Sequence, residues 1–139
     1  LPYDTHLENE AQVYQAFPQR LFEHWSGYNL VYPMHDPTPA CATVPQFYGF
    51  YTSADDDKYE DLSPLLLIEL CGRPVRLDKL GQDDRHACAA LFFYLQSAGW
   101  IQQSVYERNV VVQPGPLSEH PARRSKKQPS FRLIDFGRA

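Results

Sequence analysis

The chain has 139 residues, of which 43% are hydrophobic and 14% aromatic, and this composition fits one folded domain and excludes a disordered chain. Its formal net charge of −4 gives no electrostatic basis for binding nucleic acid or an anionic membrane. The longest apolar run, residues 87–95, is far too short to span a bilayer, so we expect no membrane partner.

The cysteines and histidines give no sign of a metal or disulfide framework. Cys41, Cys71 and Cys88 lie far apart and form no Cys-x-x-Cys pair, which favours a reducing, intracellular location, cytoplasmic or nuclear. The five histidines lack the spacing of metal ligands, and we interpret them as scattered surface or helix residues.

The first predicted element is a helix over residues 5–17. Thr5 is its predicted N-cap, Glu8 completes the spacing of a capping box, and Pro18 ends it. Residues 32–40 contain three prolines and predict a loop.

Two strands follow. Residues 44–52 are rich in aromatic and β-branched side chains, and residues 64–70 form a short apolar run that suits a buried strand. The acidic stretch between them, residues 53–64, predicts an exposed hairpin turn.

The second half of the chain predicts one long helix and a pair of strands. The helix covers residues 82–98, with two aspartates in its first turn and Gly99 as its stop. Residues 110–112 and 131–134 predict strands, and the polar stretch 113–130 predicts a loop that joins them.

Two polar residues flank these last strands. Asp135 follows the second strand directly and precedes a glycine turn, so it can present a carboxylate to a magnesium ion on nucleotide phosphates. Asn109 precedes the first strand and can offer an amide oxygen to a second magnesium ion. Taken singly, each is also explained as an ordinary turn residue.

The order of these parts resembles the protein-kinase-like superfamily, from the regulatory helix to the Asp135-Phe136-Gly137 motif. The resemblance covers nearly the whole chain but only the middle third of a complete kinase domain. It implies a single partial α+β domain, 1–139. Residues 1–70 would hold antiparallel small-lobe strands and the regulatory helix. Residues 71–139 would hold the hinge, the first large-lobe helix and the catalytic-loop hairpin.

The resemblance also assigns roles to single residues. Glu10, with Glu8 as the competing candidate, would pair with the nucleotide-binding lysine, for which the chain offers no upstream substitute. Phe47 would join Tyr14 and Phe136 in the regulatory spine.

The adenine side of the implied site is assigned in the same way. Ile68 would be the gatekeeper, the Glu69 carbonyl and the Cys71 amide would face the adenine edge, and Val111 would form the adenine floor. Phe136 and Gly137 would complete the nucleotide-binding motif beside Asp135. The cofactors implied are ATP and Mg²⁺.

The catalytic loop departs from the family pattern. Aligned on Asn109, the chain has Gln102-Gln103-Ser104 where active members resemble His-Arg-Asp, so Ser104 stands at the position of the catalytic aspartate. A serine hydroxyl is not basic at neutral pH, and loss of a positioned general base costs about 10²–10⁴ in rate. The long 113–130 insert resembles divergent kinase-like proteins of mushroom-forming fungi.

Three interpretations remain open from the sequence. The first is a catalytically impaired kinase-like protein, a pseudokinase, that binds nucleotide weakly and acts through protein partners. The second is a segment of a working phosphotransferase for protein or small-molecule hydroxyls, in which magnesium held by Asp135 and Asn109 supplies most of the catalysis. The third is a truncated product without independent function.

Overall fold

The computed structural model describes residues 5–23, 25–27, 38–40, 42–53 and 63–139. Within these ranges the helices are α1 (His6–Ala16) and α2 (Gln82–Ser97). The strands are β1 (Trp25–Gly27), β2 (Thr38–Ala40), β3 (Phe47–Tyr51), β4 (Leu65–Ile68), β5 (Arg73–Pro74), β6 (Val110–Gly115) and β7 (Ser125–Leu133). Cys41 and most of the predicted acidic turn, residues 54–62, lie outside the described residues.

The described strands form three small antiparallel sheets. β1 pairs with β2, β3 pairs with β4, and β5, β6 and β7 form a three-stranded sheet in that order. The chain is therefore a mixed α+β protein with antiparallel sheets, as the sequence predicts at this level. β2 falls within residues 32–40, for which the loop prediction was wrong in part.

Helix α1 lies where the sequence predicts it, but its start differs in detail. Thr5 has helical backbone angles, φ −74° and ψ −5°, and makes no side-chain capping bond, so the predicted capping box is wrong. An N-cap side chain reaches the first free N–H groups from an extended backbone, and the helical conformation of Thr5 turns its hydroxyl away from them. The Thr5 carbonyl instead accepts a bond from Asn9 N at 2.9 Å.

Helix α2 follows its sequence signals closely. Asp83 and Asp84 occupy its first turn, where negative charge interacts favourably with the free N–H groups of the helix. Gly99, at φ 86°, donates to the Gln96 carbonyl at 2.9 Å, and Trp100 N reaches the Leu95 carbonyl at 3.3 Å. A left-handed residue after the last turn satisfies otherwise free helix carbonyls in this way.

The β6–β7 hairpin is longer than predicted. β6 continues to Gly115 and β7 begins at Ser125, so the loop prediction for 113–130 was wrong at both ends. Pro114 pairs with Pro129 across the hairpin, and the outer part of β7 is exposed. Polar residues and prolines at a solvated hairpin end look like a loop in sequence because they carry no alternating apolar pattern.

An aromatic cluster forms the centre of the core. Tyr14 stacks on Phe47 at a ring-centroid distance of 5.8 Å and meets Phe136 edge-on at 5.5 Å. Phe17 meets Phe136 at 5.0 Å and Trp100 at 5.1 Å, also edge-on. Edge-to-face pairs at such distances are worth about 0.5–1.5 kcal/mol beyond their buried area. This cluster joins α1, β3, the segment after α2 and the segment after β7.

The segment between β4 and β5 is held close to β6 by Gly72. This residue has φ 100°, and a Cβ atom built on it would overlap the carbonyl oxygen of Val112. The two following residues then pair with β6, Arg73 with Val112 and Pro74 with Val111. The backbone therefore crosses from the β3–β4 sheet to the three-stranded sheet at a point that only glycine fits.

Substituting alanine for three glycines should separate the cost of a positive φ from the cost of steric overlap between a Cβ and its neighbours. Gly81 has φ −64° and open space, Gly99 has φ 86° and open space, and Gly72 has a positive φ and the Val112 contact. We expect Gly81→Ala to change the free energy of unfolding by about 0.5 kcal/mol or less, and Gly99→Ala to lower it by about 1–2 kcal/mol. Gly72→Ala should cost more than Gly99→Ala. Urea unfolding of the three variants measures this order, and equal values for Gly72→Ala and Gly81→Ala would contradict it.

Candidate functional site

The candidate site lies where the end of β7 meets helix α1. Asp135 follows β7 with φ 65°, and it is the only non-glycine residue with positive φ among those described. This left-handed conformation costs a residue with a side chain about 1–3 kcal/mol, although Asp tolerates it better than most. Such strain persists where surrounding contacts hold the backbone, and the contacts here come from α1 and from the loop after α2.

Glu10 supplies the first of these contacts. It is 8% exposed, and its Oε1 accepts a hydrogen bond from Phe136 N at 3.2 Å. Burial raises the pKa of Glu10, the bond from Phe136 N–H opposes that rise, and the Asp135 charge adds to it. Of the two glutamates that the sequence left open, Glu10 is the one that reaches this motif.

His6 supplies the second contact, one helical turn before Glu10. Its Nε2 lies 3.6 Å from Asp135 Oδ1, and the two side chains are 41% and 32% exposed. Its ring also packs on the Cα atom of Gly137, where a Cβ would overlap the imidazole. The structure thus groups His6, Glu10 and Asp135, with one ligand atom from each lying within 4.8 Å of the others.

Sequence reasoning missed His6. The interpretation of the histidines as scattered residues fails for this one, because Asp135 approaches it from the far end of the chain. The available signal was the four-residue spacing of His6 and Glu10, which places both on one face of a helix.

Gln102 links the loop after α2 to Asp135. Its Nε2 donates to the carbonyls of Ile134 at 2.9 Å and Asp135 at 3.1 Å, and its Oε1 accepts from Ser104 N at 3.1 Å. The side chain is 3% exposed, so these bonds replace water completely. From the sequence, Gln102 was interpreted only as a departure from the catalytic-loop pattern. Its hydrogen bonds to Ile134, Asp135 and Ser104 were not predicted.

Asn109 and Ser104 meet in the same loop. Asn109 Nδ2 donates to the Ser104 carbonyl at 2.9 Å, and the Asn109 carbonyl accepts from Ile134 N at 2.9 Å. Asn109 and Ser104 are 4% and 5% exposed. Because Val110 pairs with Leu133, Asn109 and Asp135 flank the same end of the β6–β7 hairpin.

The predicted adenine-side residues form a second stretch. Ile68 ends β4, and Glu69 bonds with Gln46 twice, through its backbone N–H at 2.9 Å and through its carboxylate at 3.1 Å. Cys71 Sγ donates to the Glu69 carbonyl at 3.5 Å. Val111 is 4% exposed between Pro74 and Arg132. The Glu69 carbonyl and the Val111 side chain, predicted to contact adenine, are thus engaged within the protein.

The carboxylate of Asp135 and the amide of Asn109 carry oxygen atoms, the ligand type that hard divalent cations prefer. The Asp135 carboxylate is partly exposed, and Asn109 donates through its Nδ2, which leaves the amide oxygen as a ligand atom. The ion pairs among the described residues are His6–Asp135 and Arg76–Asp78, so no lysine or arginine there pairs with Glu10. A cationic anchor for phosphates at this glutamate is not part of the described site.

Comparison of the chain with models of protein families, with curated proteins and with solved structures found no match. Within the described part of the chain, neither helix combines the length and apolar character needed to cross a bilayer. The residues themselves therefore carry the functional argument.

Replacing Glu10 with glutamine should remove one pH dependence of stability. The folded protein holds the Glu10 proton more tightly than the unfolded chain does. The stabilisation that this proton contributes is therefore complete below the ordinary pKa of a glutamate. It is lost as the pH rises through the raised pKa that Glu10 has in the folded protein. We expect the unfolding free energy of the wild type, minus that of Glu10→Gln, to fall as the pH rises above the ordinary glutamate pKa of about 4.3.

Urea unfolding at several pH values measures this difference. Glu119→Gln, which changes an exposed carboxylate in the hairpin loop, is the matched control. A wild-type minus Glu10→Gln difference that stays constant with pH, or that matches the control, would contradict the prediction.

The two described cysteines should resist alkylation in the native state. Burial, reinforced by the Glu69 charge, raises the pKa of Cys71 to about 12, and burial together with Asp84 raises that of Cys88 to about 12. Because the thiolate is the reactive form, we expect labelling by iodoacetamide at about pH 8 to be roughly 1,000-fold slower than for an ordinary thiol. Peptide mass spectrometry with and without urea measures each site, and fast native labelling of Cys71 would refute the expectation.

Proposed function

We propose that this chain is a catalytically impaired, protein-kinase-like domain that binds ATP weakly with Mg²⁺ and acts through a protein partner. The observation that carries the proposal is the shared position of Asn109 and Asp135 at one end of the β6–β7 hairpin. These are the two magnesium ligands that the kinase resemblance assigns, and they come from segments separated by the whole hairpin.

The contacts around Asp135 support a cation-binding role. Gln102 holds the Asp135 carbonyl, and Glu10 holds the following backbone N–H, so the carboxylate projects from a backbone fixed on both sides. Asp135 and Asn109 would hold the magnesium ion, which supplies charge neutralisation of nucleotide phosphates when bound. Because the backbone is already fixed, less conformational entropy is lost when a cation binds.

The position of Ser104 supports impaired transfer. Its backbone N–H bonds to Gln102 and its carbonyl to Asn109, so this residue shapes the loop through its main chain. Its hydroxyl is not basic at neutral pH and is buried. Phosphoryl transfer would therefore lack the carboxylate that accepts the substrate proton, at a cost of about 10²–10⁴ in rate.

The adenine side supports weak binding. The thiol of Cys71 already bonds to the Glu69 carbonyl, and the Val111 side chain is covered. Nucleotide binding would have to replace these internal contacts, which reduces the net free energy of association. With slow transfer and weak nucleotide affinity, the domain would act by contact with another protein rather than by catalysis.

A thermal unfolding experiment tests nucleotide binding. The melting temperature of the chain is measured with millimolar ATP and Mg²⁺, with ATP and a chelator, and without nucleotide. Ligand at about 100 times its dissociation constant stabilises the folded state by about 2.7 kcal/mol. We expect a rise that depends on Mg²⁺ and that Asp135→Asn largely removes.

Asp78→Asn is the matched control, because Asp78 is 64% exposed and pairs only with Arg76 among the described ion pairs. This control should keep the full rise in melting temperature. The absence of any rise in the wild type, or an equal rise in Asp135→Asn, would refute magnesium-dependent nucleotide binding at this site.

A further inference from the structure

Three potential metal ligands converge at the junction of α1 and β7. His6 and Glu10 lie four residues apart on one helix face, and Asp135 reaches them from the end of β7. Each offers one ligand atom, a ring nitrogen or a carboxylate oxygen, and these atoms lie within 4.8 Å of one another. Two ligands four residues apart on a helix form a recurrent framework for metal binding because they project in the same direction.

The distances suit a small tetrahedral ion. Zn²⁺ binds imidazole nitrogen and carboxylate oxygen at about 2.1 Å, so two of its tetrahedral ligands lie about 3.4 Å apart. The His6 Nε2 to Asp135 Oδ1 distance of 3.6 Å is already close to that value. The three ligand atoms lie within 4.8 Å of one another, so closing them around one ion takes side-chain movements of about 1 Å.

The charge balance of the cluster calls for a cation. Glu10 is nine-tenths buried, and no lysine or arginine pairs with it among the described residues. Two carboxylates, those of Glu10 and Asp135, lie side by side with one backbone N–H and one imidazole to offset them, and a bound cation would reduce their mutual repulsion. The Phe136 N–H also fixes one oxygen of Glu10, which is the kind of support that orients a ligating carboxylate.

Tyr14 is a buried polar residue next to this cluster on the same helix. It lies one turn after Glu10 on the same helix face, is 1% exposed, and its hydroxyl has no hydrogen-bond partner among the described residues. Burial raises the pKa of Tyr14, and Glu10 is the nearby charge that contributes most to this rise, with Asp135 also contributing.

We propose that His6, Glu10 and Asp135 bind one divalent transition-metal ion, of which Zn²⁺ fits best. Imidazole among the ligands favours Zn²⁺ over Mg²⁺, which prefers an octahedral shell of oxygens. Three protein ligands leave a fourth position open to solvent, the arrangement of zinc sites that bind a water molecule or another small ligand. The site needs no nucleotide, but it shares Asp135 with the function proposed above, so Zn²⁺ and Mg²⁺ would compete for that carboxylate.

Metal binding by the 139-residue chain tests this site directly. The protein is freed of metal with a chelator and titrated with Zn²⁺ by calorimetry, and with Co²⁺ by visible absorption, in the absence of nucleotide. We expect one ion per chain, a tetrahedral Co²⁺ band, and a rise in melting temperature with Zn²⁺. His6→Asn, Glu10→Gln and Asp135→Asn should each weaken Zn²⁺ binding at least about 10-fold.

His120→Gln is the matched control, because it removes an exposed histidine from the hairpin loop and should leave Zn²⁺ affinity unchanged. Far-UV circular dichroism verifies that each variant folds, and the partly exposed His6 makes His6→Asn the variant least affected by core packing. The proposal is overturned if the wild type binds no Zn²⁺, or if folded His6→Asn binds it as tightly as the wild type.

The same variants separate this site from the nucleotide site. His6→Asn should lose Zn²⁺ binding but keep a Mg²⁺-dependent response to ATP, because the asparagine amide can still donate to Asp135 and His6 is not among the magnesium ligands. Asn109→Ala should show the opposite pattern. Failure of ATP binding alone would leave the Zn²⁺ site standing, and loss of both responses in His6→Asn would refute its independence.

Discussion

The carboxylate of Glu10 lies in the protein interior and accepts a hydrogen bond from the backbone of Phe136, a residue 126 positions further along the chain. This bond ties the first described helix to the segment that follows the last strand, directly beside Asp135. Leaving a buried carboxylate without a partner costs several kcal/mol, so the two segments are held together by the need to satisfy that charge. The aromatic contacts of Tyr14 and Phe17 with Phe136 then follow from the same placement.

A second constraint acts from the opposite side. Gln102 is buried and bonds to two consecutive carbonyls at the end of β7, while Asn109 holds Ser104 and Ile134. The strained backbone of Asp135 is thus enclosed between a helix and a loop. Backbone strain of this kind is retained where several contacts over-determine the conformation, and it is common at functional sites.

The local elements were largely predictable from the sequence. Both helices were predicted to within one residue at each end, because residues close to the helix ends, such as Pro18 and Gly99, determine where each helix stops. The strands β3 and β4 were also predicted from their aromatic and aliphatic composition. The hairpin β6–β7 was predicted too short, since its outer residues are solvated and pair through the backbone rather than through apolar side chains.

The site was predictable only in part. Asp135 and Asn109 were singled out by their positions beside the last strands and Glu10 through a resemblance, and in the structure Asn109 bonds to Ile134 and Glu10 to Phe136, the two neighbours of Asp135. His6 and Gln102 were not identified as members of it, because their roles depend on contacts with a segment more than thirty positions away in sequence. Single-sequence patterns report periodicity along one element, and they carry no information about which distant element packs against it.

The contact between the His6 ring and Gly137 has a consequence for how the molecule can rearrange. The imidazole occupies the space that a Cβ at position 137 would need, so any side chain there would push the ring away unless the turn itself shifts. Phe136 meets Tyr14 and Phe17 of α1 edge-on, so reorienting its ring would break both of these contacts.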